Sequence, residues 1–373
     1  MAKLGDIATY INGYAFKPSD WSTEGLPIIR IQDLTGSSYK TNKYNGDYDK
    51  KYEVNNGDIL ISWSASLGVF VWKNDKAVLN QHIFKVIFNK KVVDKDFFVY
   101  QVENILRKAQ NSVHGATMKH LTKPVFDSLD FYLPLIEEQK RIAKQLKLIN
   151  LLIDHRNDQI KKLDLLVKSR FVEMFGSMYE PKYKLRTLND VCEYIKDGTH
   201  QTPTYTDDKI HGYKFLSSKD VTSGKIDWSK IKYIPKELHD ELYAKIAPRR
   251  GDILLAKNGT TGVAALVECN EVFDIYVSLA ILRLKEHNNP KYILEAINSQ
   301  GTKEQFNKSL KGIGVPNLHL GEIKKAKIII PPIELQNQFA DFVAQVDKSK
   351  LAIQQSLYEL ETLKKSLMQQ YFG

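Results

Sequence analysis

Apolar residues recur along this chain with two distinct periods. From Glu137 to Met174 there is neither Gly nor Pro, and Ile142, Leu146, Ile149, Ile153, Arg156, Ile160, Leu163, Val167, Arg170 and Met174 alternate four- and three-residue steps. That spacing is a heptad seam, the mark of a long helix packed on another helix. Phe339, Val343, Val346, Lys350, Ile353, Leu357, Leu360, Lys364, Leu367 and Tyr371 repeat it at the end of the chain. Pro134 and Pro331-Pro332 precede the two stretches, and Gly176 and Gly373 follow them, as helix start and stop signals. Each stretch predicts a helix of about 35 residues, roughly 50 Å at 1.5 Å per residue.

Elsewhere the apolar runs are short and bounded by turn residues. Residues 28–31, 59–62 and 69–72 predict strands, as do 214–216, 253–255 and 280–283. Gly57-Asp58 and Gly251-Asp252 are turn signals before two of them. Phe98, Val102, Ile105 and Leu106 predict a helix over about 95–110, and Ile293 and Ile297 one over about 290–308. The globular parts are therefore expected to be α/β or α+β.

These patterns are written twice. Lys168-Ser169-Arg170-Phe171-Val172-Glu173-Met174-Phe175-Gly176 matches Lys365-Ser366-Leu367-Met368-Gln369-Gln370-Tyr371-Phe372-Gly373, and Pro134-Leu135-Ile136-Glu137 matches Pro331-Pro332-Ile333-Glu334 at the same offset. Gly57-Asp58-Ile59-Leu60 matches Gly251-Asp252-Ile253-Leu254, and Leu4 and Asp6 match Leu188 and Asp190, with the offset shrinking in steps. A duplicated domain with unequal surface loops gives this drift, and two copies are too few for a solenoid. A pseudo-two-fold molecule, in effect a homodimer fused into one chain, is expected.

A long amphipathic helix needs a cover for its seam, and the other copy supplies one. Few residues separate Gly176 from the second globular part, and the second helix leaves that part directly. The start of the second helix should therefore lie near the end of the first, giving an antiparallel coiled coil with the globular parts at opposite ends of a rod. The expected boundaries are 1–134 for the first globular domain, 135–176 for the central helix, 177–331 for the second domain and 332–373 for the last helix. Arg156, Lys350 and Lys364 in the seam either fix register or snorkel.

Composition narrows the class. The 373 residues are 43% hydrophobic and 26% charged, in the range of an ordinary globular protein with two or three domains. A net charge of +10 favours a polyanionic partner or simply a basic cytosolic protein. Two cysteines, Cys192 and Cys269, make neither a zinc pattern nor a disulfide framework and suit a reducing, cytoplasmic setting. The start, Met1-Ala2-Lys3-Leu4, shows no signal-peptide pattern, and no run approaches the ~20 apolar residues of a membrane span.

Catalytic patterns are sparse. There is no GxxxxGK[ST] loop, no HExxH and no Asp/Asn-Pro-Pro-aromatic motif. Gly259-Thr260-Thr261-Gly262 lacks the Lys and following helix of a phosphate cradle. Asp58 and Asp252 suit turn formation, since neither has a matched acid or base nearby in sequence. His200 stands in a loop, where a solvent or hydrogen-bonding role is favoured over catalysis.

Two mixed domains, each followed by a Pro-Ile-Glu helix start and a long helix ending in Phe-Gly, resemble the specificity subunit of type I restriction–modification systems. The carrying segments are Leu133-Pro134-Leu135-Ile136-Glu137-Glu138-Gln139 and Ile330-Pro331-Pro332-Ile333-Glu334-Leu335-Gln336, the paired Gly-Asp-Ile-Leu runs, Asp197-Gly198-Thr199-His200, and Gly115-Ala116-Thr117-Met118-Lys119-His120-Leu121. The resemblance covers essentially the whole chain. It implies two target-recognition domains, each reading one half of a bipartite site in double-stranded DNA. The helices would serve as spacer and as dock for two methyltransferase subunits. It further implies that this chain is not an enzyme and holds no cofactor or metal. S-adenosylmethionine would belong to the adenine-N6 methyltransferase, and ATP and Mg to the motor-nuclease restriction subunits. Leu335 stands where the first copy has Glu138, so identical docking at the two ends is not implied.

Given that resemblance, phosphate contacts should supply affinity and base edges specificity. Lys40, Lys43, Tyr44, Lys50, Lys51 and Tyr52 in the first domain are basic residues set among aromatics. So are Lys214, Lys219, Lys225, Trp228, Lys230, Lys232, Tyr233, Arg249 and Arg250 in the second. Either cluster is a DNA-facing surface or a solvated face. Matched positions between the shared glycines differ: Trp63 against Lys257, Ser64 against Asn258, Lys119 against Pro316, His120 against Asn317. Different hydrogen-bonding groups at equivalent positions read different bases, which predicts an asymmetric target. The candidate DNA-binding residues are Ser62, Trp63, Ser64, Thr117 and Lys119 in the first domain. In the second they are Thr199, His200, Gln201, Thr202, Lys257, Asn258, Thr260, Asn317 and His319. Trp63 suits a core position as well as a DNA contact. The spacer between half-sites should depend on rod length, since two readers on one face of DNA work best about one helical turn apart.

Three other readings remain. A type II-like bipartite system would use the same chain with different enzymes. A self-contained nuclease would cleave DNA with magnesium, but the carboxylate–lysine cluster it needs is missing from the sequence. A coiled-coil scaffold would show no salt-sensitive DNA binding and leaves two diverged domains unexplained.

Overall fold

The computed structural model describes residues 1–38, 40–111, 121–221, 224–259, 261–310 and 317–373. The chain forms two compact units, one of Met1–Asp158 with Gln354–Gly373 and one of Gln159–Ile353. Among the described residues no helix is long and apolar enough to cross a membrane.

The first unit is built on a four-stranded antiparallel sheet in the order Thr9–Asn12, Ile83–Ile87, Ile59–Ser62, Gly68–Val71. Strand alternation sends Ile59 and Ile61 to one face and Leu60 to the other. Both faces are covered. Ile59, Ile61, Phe84 and Val86 join a core with Phe97, Phe98, Val102 and Phe126. Leu60 and Ile83 join Ile29, Val54, Ala77 and Leu79 on the other side. That second layer is a small sheet in which Leu26–Ile29 lies parallel to Ala77–Leu79, with Lys43–Tyr44 on the outer side of the first and Glu53–Val54 on the outer side of the second. Burying each such side chain removes apolar area from water worth roughly 1.5–3 kcal/mol.

The second unit repeats the plan. Its four-stranded sheet runs Cys192–Asp197, Leu279–Leu284, Ile253–Ala256, Ala264–Leu266. Ile253 and Leu255 face one core, Leu254 and Ala256 the other. Tyr213–Leu216 again pairs in parallel, here with Phe273–Ile275. Where the first unit adds Glu53–Val54 to this layer, the second packs the helix Lys236–Tyr243 against Phe273–Ile275.

The long helices are Ile136–Phe175 and Ile333–Phe372, 40 residues each. Within the first unit Gln145 accepts a hydrogen bond from the Tyr371 hydroxyl at 2.5 Å and Arg156 reaches Ser356 at 3.2 Å. Within the second, Lys350 pairs with Asp164 at 2.5 Å and Phe175 meets Phe339 with ring centroids 5.4 Å apart. In each unit one helix therefore ascends as the other descends, the antiparallel pairing expected from the short connection. All seam residues are buried or half-buried.

Some local expectations shift. The first strand stops at Ile29, because the Asp33 carboxylate accepts from Arg30 N at 2.9 Å and starts the short helix Ile31–Thr35. The helix expected over 290–308 is two, Pro290–Asn298 and Gln300–Lys308, broken at Ser299 with ψ 155°. The Asn298 amide is bound to both backbone groups of Ala264, at 3.0 and 3.1 Å, and holds that break. Phe175 and Phe372 lie outside the strict heptad yet are buried, turned from the helix ends into the two domain cores.

Candidate nucleic-acid interface

The two Gly-Asp turns are structural. Gly57 and Gly251 hold φ of +87° and +93°, where a side chain is strained. Asp58 accepts from Asn55 N and Asp252 from Arg249 N, both at 2.9 Å. Asp252 is also gripped by the Arg283 guanidinium at 2.7 and 2.9 Å. The strands they start run to Ser62 and Ala256, where the candidate residues lie.

In the second unit three segments meet at the end of the sheet. Strand Cys192–Asp197 ends against Gly198, whose added Cβ would lie 2.2 Å from the Ile275 carbonyl, so only glycine fits. Thr199 is then fixed by backbone bonds from its N–H to Ile275 and to its carbonyl from Val277, at 3.0 and 2.9 Å. His200, Gln201 and Thr202 project into solvent from this fixed base. Lys257 closes the central strand: its N–H donates to the Ser278 carbonyl at 2.8 Å, and its carbonyl accepts from Leu318 N at 2.9 Å. Asn258 bridges to Asn317, and His319 stands at the start of the next short helix. His200, Lys257, Asn258, Asn317 and His319 thus line one cleft of about 540 Å³. The Asn317 amide oxygen is buried there without a partner among the described residues.

The Lys257 side chain does not reach outward as expected. It is 5% exposed, and its ammonium is paired with Asp197. Burying an ammonium is costly without such a partner. His200 approaches the same carboxylate at 3.5 Å from the exposed side.

The first unit repeats this junction. Gly13 approaches the Leu79 and Asn80 carbonyls as Gly198 approaches Ile275. Trp63 N–H meets the His82 carbonyl at 3.4 Å, and Leu121 N donates to the Trp63 carbonyl at 2.9 Å. The Trp63 indole N–H donates to Asn12 Oδ1 at 3.2 Å while its ring stacks on Phe84. Ser62 and Ser64 are not exposed readers: both are buried, and the Ser62 hydroxyl donates to the carbonyl of Ser66, with Gly68 beyond. Ser62 ends the central strand of a sheet covered on both faces, so even this last strand residue turns inward. Thr117, Lys119 and Thr260 lie outside the described residues.

A second cleft, of about 250 Å³, lies on the other side of His200, against Leu242, Lys245 and Asp274. Asp274 is buried and bonded to His239 Nδ1 at 2.7 Å, and the His239 ring stacks on Tyr213 with centroids 3.7 Å apart. Burial pushes the Asp274 carboxyl up to about 6, against the lowering effect of His239.

The basic–aromatic clusters are partly structural. Lys232 lies 4.0 Å over the Tyr205 ring and Lys196 4.8 Å over Tyr194, cations held on exposed faces. Lys214 is neutralised by Glu271. In the first unit Tyr44 and Tyr52 belong to an aromatic group with Tyr14 and Phe16, at centroid distances of 4.9–5.7 Å. Tyr14 and Phe16 escaped the sequence reading, although the Gly13 before them matches Gly198. Among the described residues no group of three or more His, Cys, Asp or Glu side chains is placed to hold a metal ion.

Comparison with known proteins agrees with this duplicated plan. The model of the type I restriction modification DNA specificity domain matches residues 1–163 and again 180–362. The EcoBI type I restriction enzyme specificity subunit of Escherichia coli is 22% identical, over 99% of this chain and 84% of that protein. The MjaVIII specificity subunit of Methanocaldococcus jannaschii is 24% identical, over 99% and 90%. Two solved structures share the fold. One is a chain from work on complex assembly and conformational transition of the type I R-M system (TM-score 0.58, 17% identity, 100% and 96% covered). The other is the S subunit of a type I restriction–modification system from M. genitalium (TM-score 0.54, 13% identity, 98% and 94% covered). The chain belongs to the type I restriction modification DNA specificity domain family and carries two copies of that domain.

Proposed function

We propose that this chain is the DNA-reading, non-catalytic subunit of a type I restriction–modification complex. Each unit reads one half of an asymmetric bipartite site. The observation that carries this reading is one backbone junction built twice with different side chains: Trp63 with Asn12 in one unit, Lys257 with Asp197 in the other. A shared frame with exchanged donors and acceptors is what two readers of unlike half-sites require. Exposed His200, Gln201, Thr202 and His319, with Asn258 and Asn317 in the cleft, are the groups offered to base edges in the second unit. The long helices dock two methyltransferase subunits, which bring S-adenosylmethionine and methylate adenine N6. Motor-nuclease subunits bring ATP and Mg.

The test is made in a host free of adenine methylation. The chain is co-expressed with the methyltransferase encoded beside it, and N6-methyladenine is mapped genome-wide. A split, asymmetric motif that disappears without this chain is the expected result. Soluble, associated proteins that leave the genome unmethylated would overturn the reading.

A further inference from the structure

We infer that the Asn12–Trp63 and Asp197–Lys257 pairs are two versions of one latch that positions the reading loops of their own unit, so each pair sets the stringency of one half-site. The inference rests on the proposed DNA-reading function and changes the roles expected of Trp63 and Lys257. Neither is a base reader; both are positioning residues, and Asn12 and Asp197 are their partners.

The argument is geometric. At residue 63 and at residue 257 the backbone makes the same two bonds, its N–H to the carbonyl of residue 82 or 278 and its carbonyl to the N–H of residue 121 or 318. The side chain adds a third tie, from a nitrogen donor to an oxygen at the end of the edge strand. The position therefore joins four segments: the edge-strand end with its following glycine loop, the central-strand end, the turn before the neighbouring strand, and the segment leading to the next short helix. The exposed candidates sit on those segments, one to five residues from the tie. Removing the side-chain donor leaves the backbone bonds at residues 63 and 257 in place. It removes the tie between the central-strand end and the edge-strand end, from which the loops carrying His200, Gln201 and Thr202 in one unit and Tyr14 and Phe16 in the other set out, while the backbone bonds at Thr199 and Tyr14 stay.

The two pairs hold the same place with unlike chemistry. The Trp63 indole N–H to the Asn12 amide is neutral on both sides and exposed at Asn12, with the half-buried Trp63 ring backed by Phe84. Lys257 to Asp197 is an ion pair, with side-chain exposures of 7% and 16%. A tie kept at one point while its chemistry changes indicates that the link is required and its composition is not.

The test uses the chain in its methyltransferase complex, with adenine methylation mapped as above. Trp63→Phe removes the indole donor and one of its two fused rings and leaves a six-membered aromatic ring beside Phe84 and His82. Lys257→Met removes the ammonium. Each variant is expected to raise methylation at sites mismatched in one half by about tenfold, with the other half read as before. The relaxed halves should be opposite for the two variants. Lys257→Arg, which returns a donor to Asp197, is expected to restore the motif. A folded Trp63→Phe protein with an unchanged motif, or one that loses both halves together, overturns the inference. An insoluble Trp63→Phe protein also overturns it, by making the bond a support of the core. Absence of any split motif for the wild-type chain instead counts against the proposed function.

Discussion

Gln139 and Gln336 perform the same act, one in each unit. The Gln139 amide oxygen accepts from Asp94 N at 2.9 Å while its NH2 donates to the Pro134 carbonyl at 2.8 Å. Gln336 accepts from Asn289 N at 3.0 Å and donates to the Pro331 carbonyl at 2.9 Å. Both are 1% exposed. Each ties the start of a long helix to the loop before the helix of its own domain, which explains why the Pro-Ile-Glu segments stayed alike while surface positions diverged.

Replacing either by Leu leaves one N–H and one carbonyl, largely withdrawn from water, without these partners. Gln139→Leu and Gln336→Leu are each expected to cost about 1–3 kcal/mol. Denaturant melts of the variants against wild type give the figure. Unshifted midpoints would show that water takes over both groups.

Arg283 and Asp252 form an enclosed bidentate ion pair, with side-chain exposures of 14% and 2%. Arg283→Met strands a buried carboxylate and should destabilise by about 3–5 kcal/mol. Arg283→Lys keeps the charge but loses the fork, so it should recover only part of that. In a double-mutant cycle with Asp252→Ala, the double variant should be less damaged than the two singles added together. Strict additivity would remove the pair from the account.

Asp274 gives a pH dependence with a definite sign. Its carboxyl rises from 3.8 to about 6, chiefly because burial disfavours the charged form. The folded state therefore keeps a proton that the unfolded chain has already released. The associated stability is complete below about pH 4 and is lost as pH rises through about 6, on the order of 3 kcal/mol in all. Asp274→Asn should flatten this slope in unfolding free energies measured between pH 4 and 7. An equal slope in wild type and variant would assign the effect to other groups.

The architecture was legible because its signals are local or periodic. The heptad seam needs only the spacing of apolar residues, and the duplication needs only matched segments. The junction was half legible. Lys257 and Trp63 were singled out because they differ between copies, but their burial depends on partners far off in sequence. Asn12 lies 51 residues from Trp63, and Asp197 lies 60 from Lys257. Ser62 looked like a strand end open to solvent, and only the sheet packed on both faces shows it enclosed. Asn12-Gly13 and Asp197-Gly198 were the available signal: a polar residue before a matched glycine in both copies.

The cysteines offer a simple check on burial. Cys192 lies in the core of the second unit, and desolvation pushes its thiol up to about 12. The thiolate is the reactive form, so Cys192 should stay silent toward a disulfide reagent at pH 8. Half-buried Cys269 is expected to react first. One fast thiol in the native protein and two in denaturant is the expected titration. Two fast thiols in the native state would contradict the packing around Cys192.

His200 and Lys232 separate base reading from phosphate contact. His200 is exposed above the Asp197 carboxylate, on a loop whose backbone is pinned at Thr199. Lys232 is exposed over the Tyr205 ring, on the strand Lys232–Ile234. A cation on a phosphate displaces counterions whatever the sequence, so Lys232→Gln should weaken cognate and mismatched duplexes by the same factor. It should also reduce the slope of log affinity against log salt by about 0.9. His200→Ala should instead lower cognate affinity with little change in that slope, because a base contact releases no condensed counterion. Titrations of the methyltransferase complex on both duplexes at several salt concentrations decide between the roles. Should the two variants give the same pattern, the loop and the basic face would be one contact, and the division of labour between them would fall.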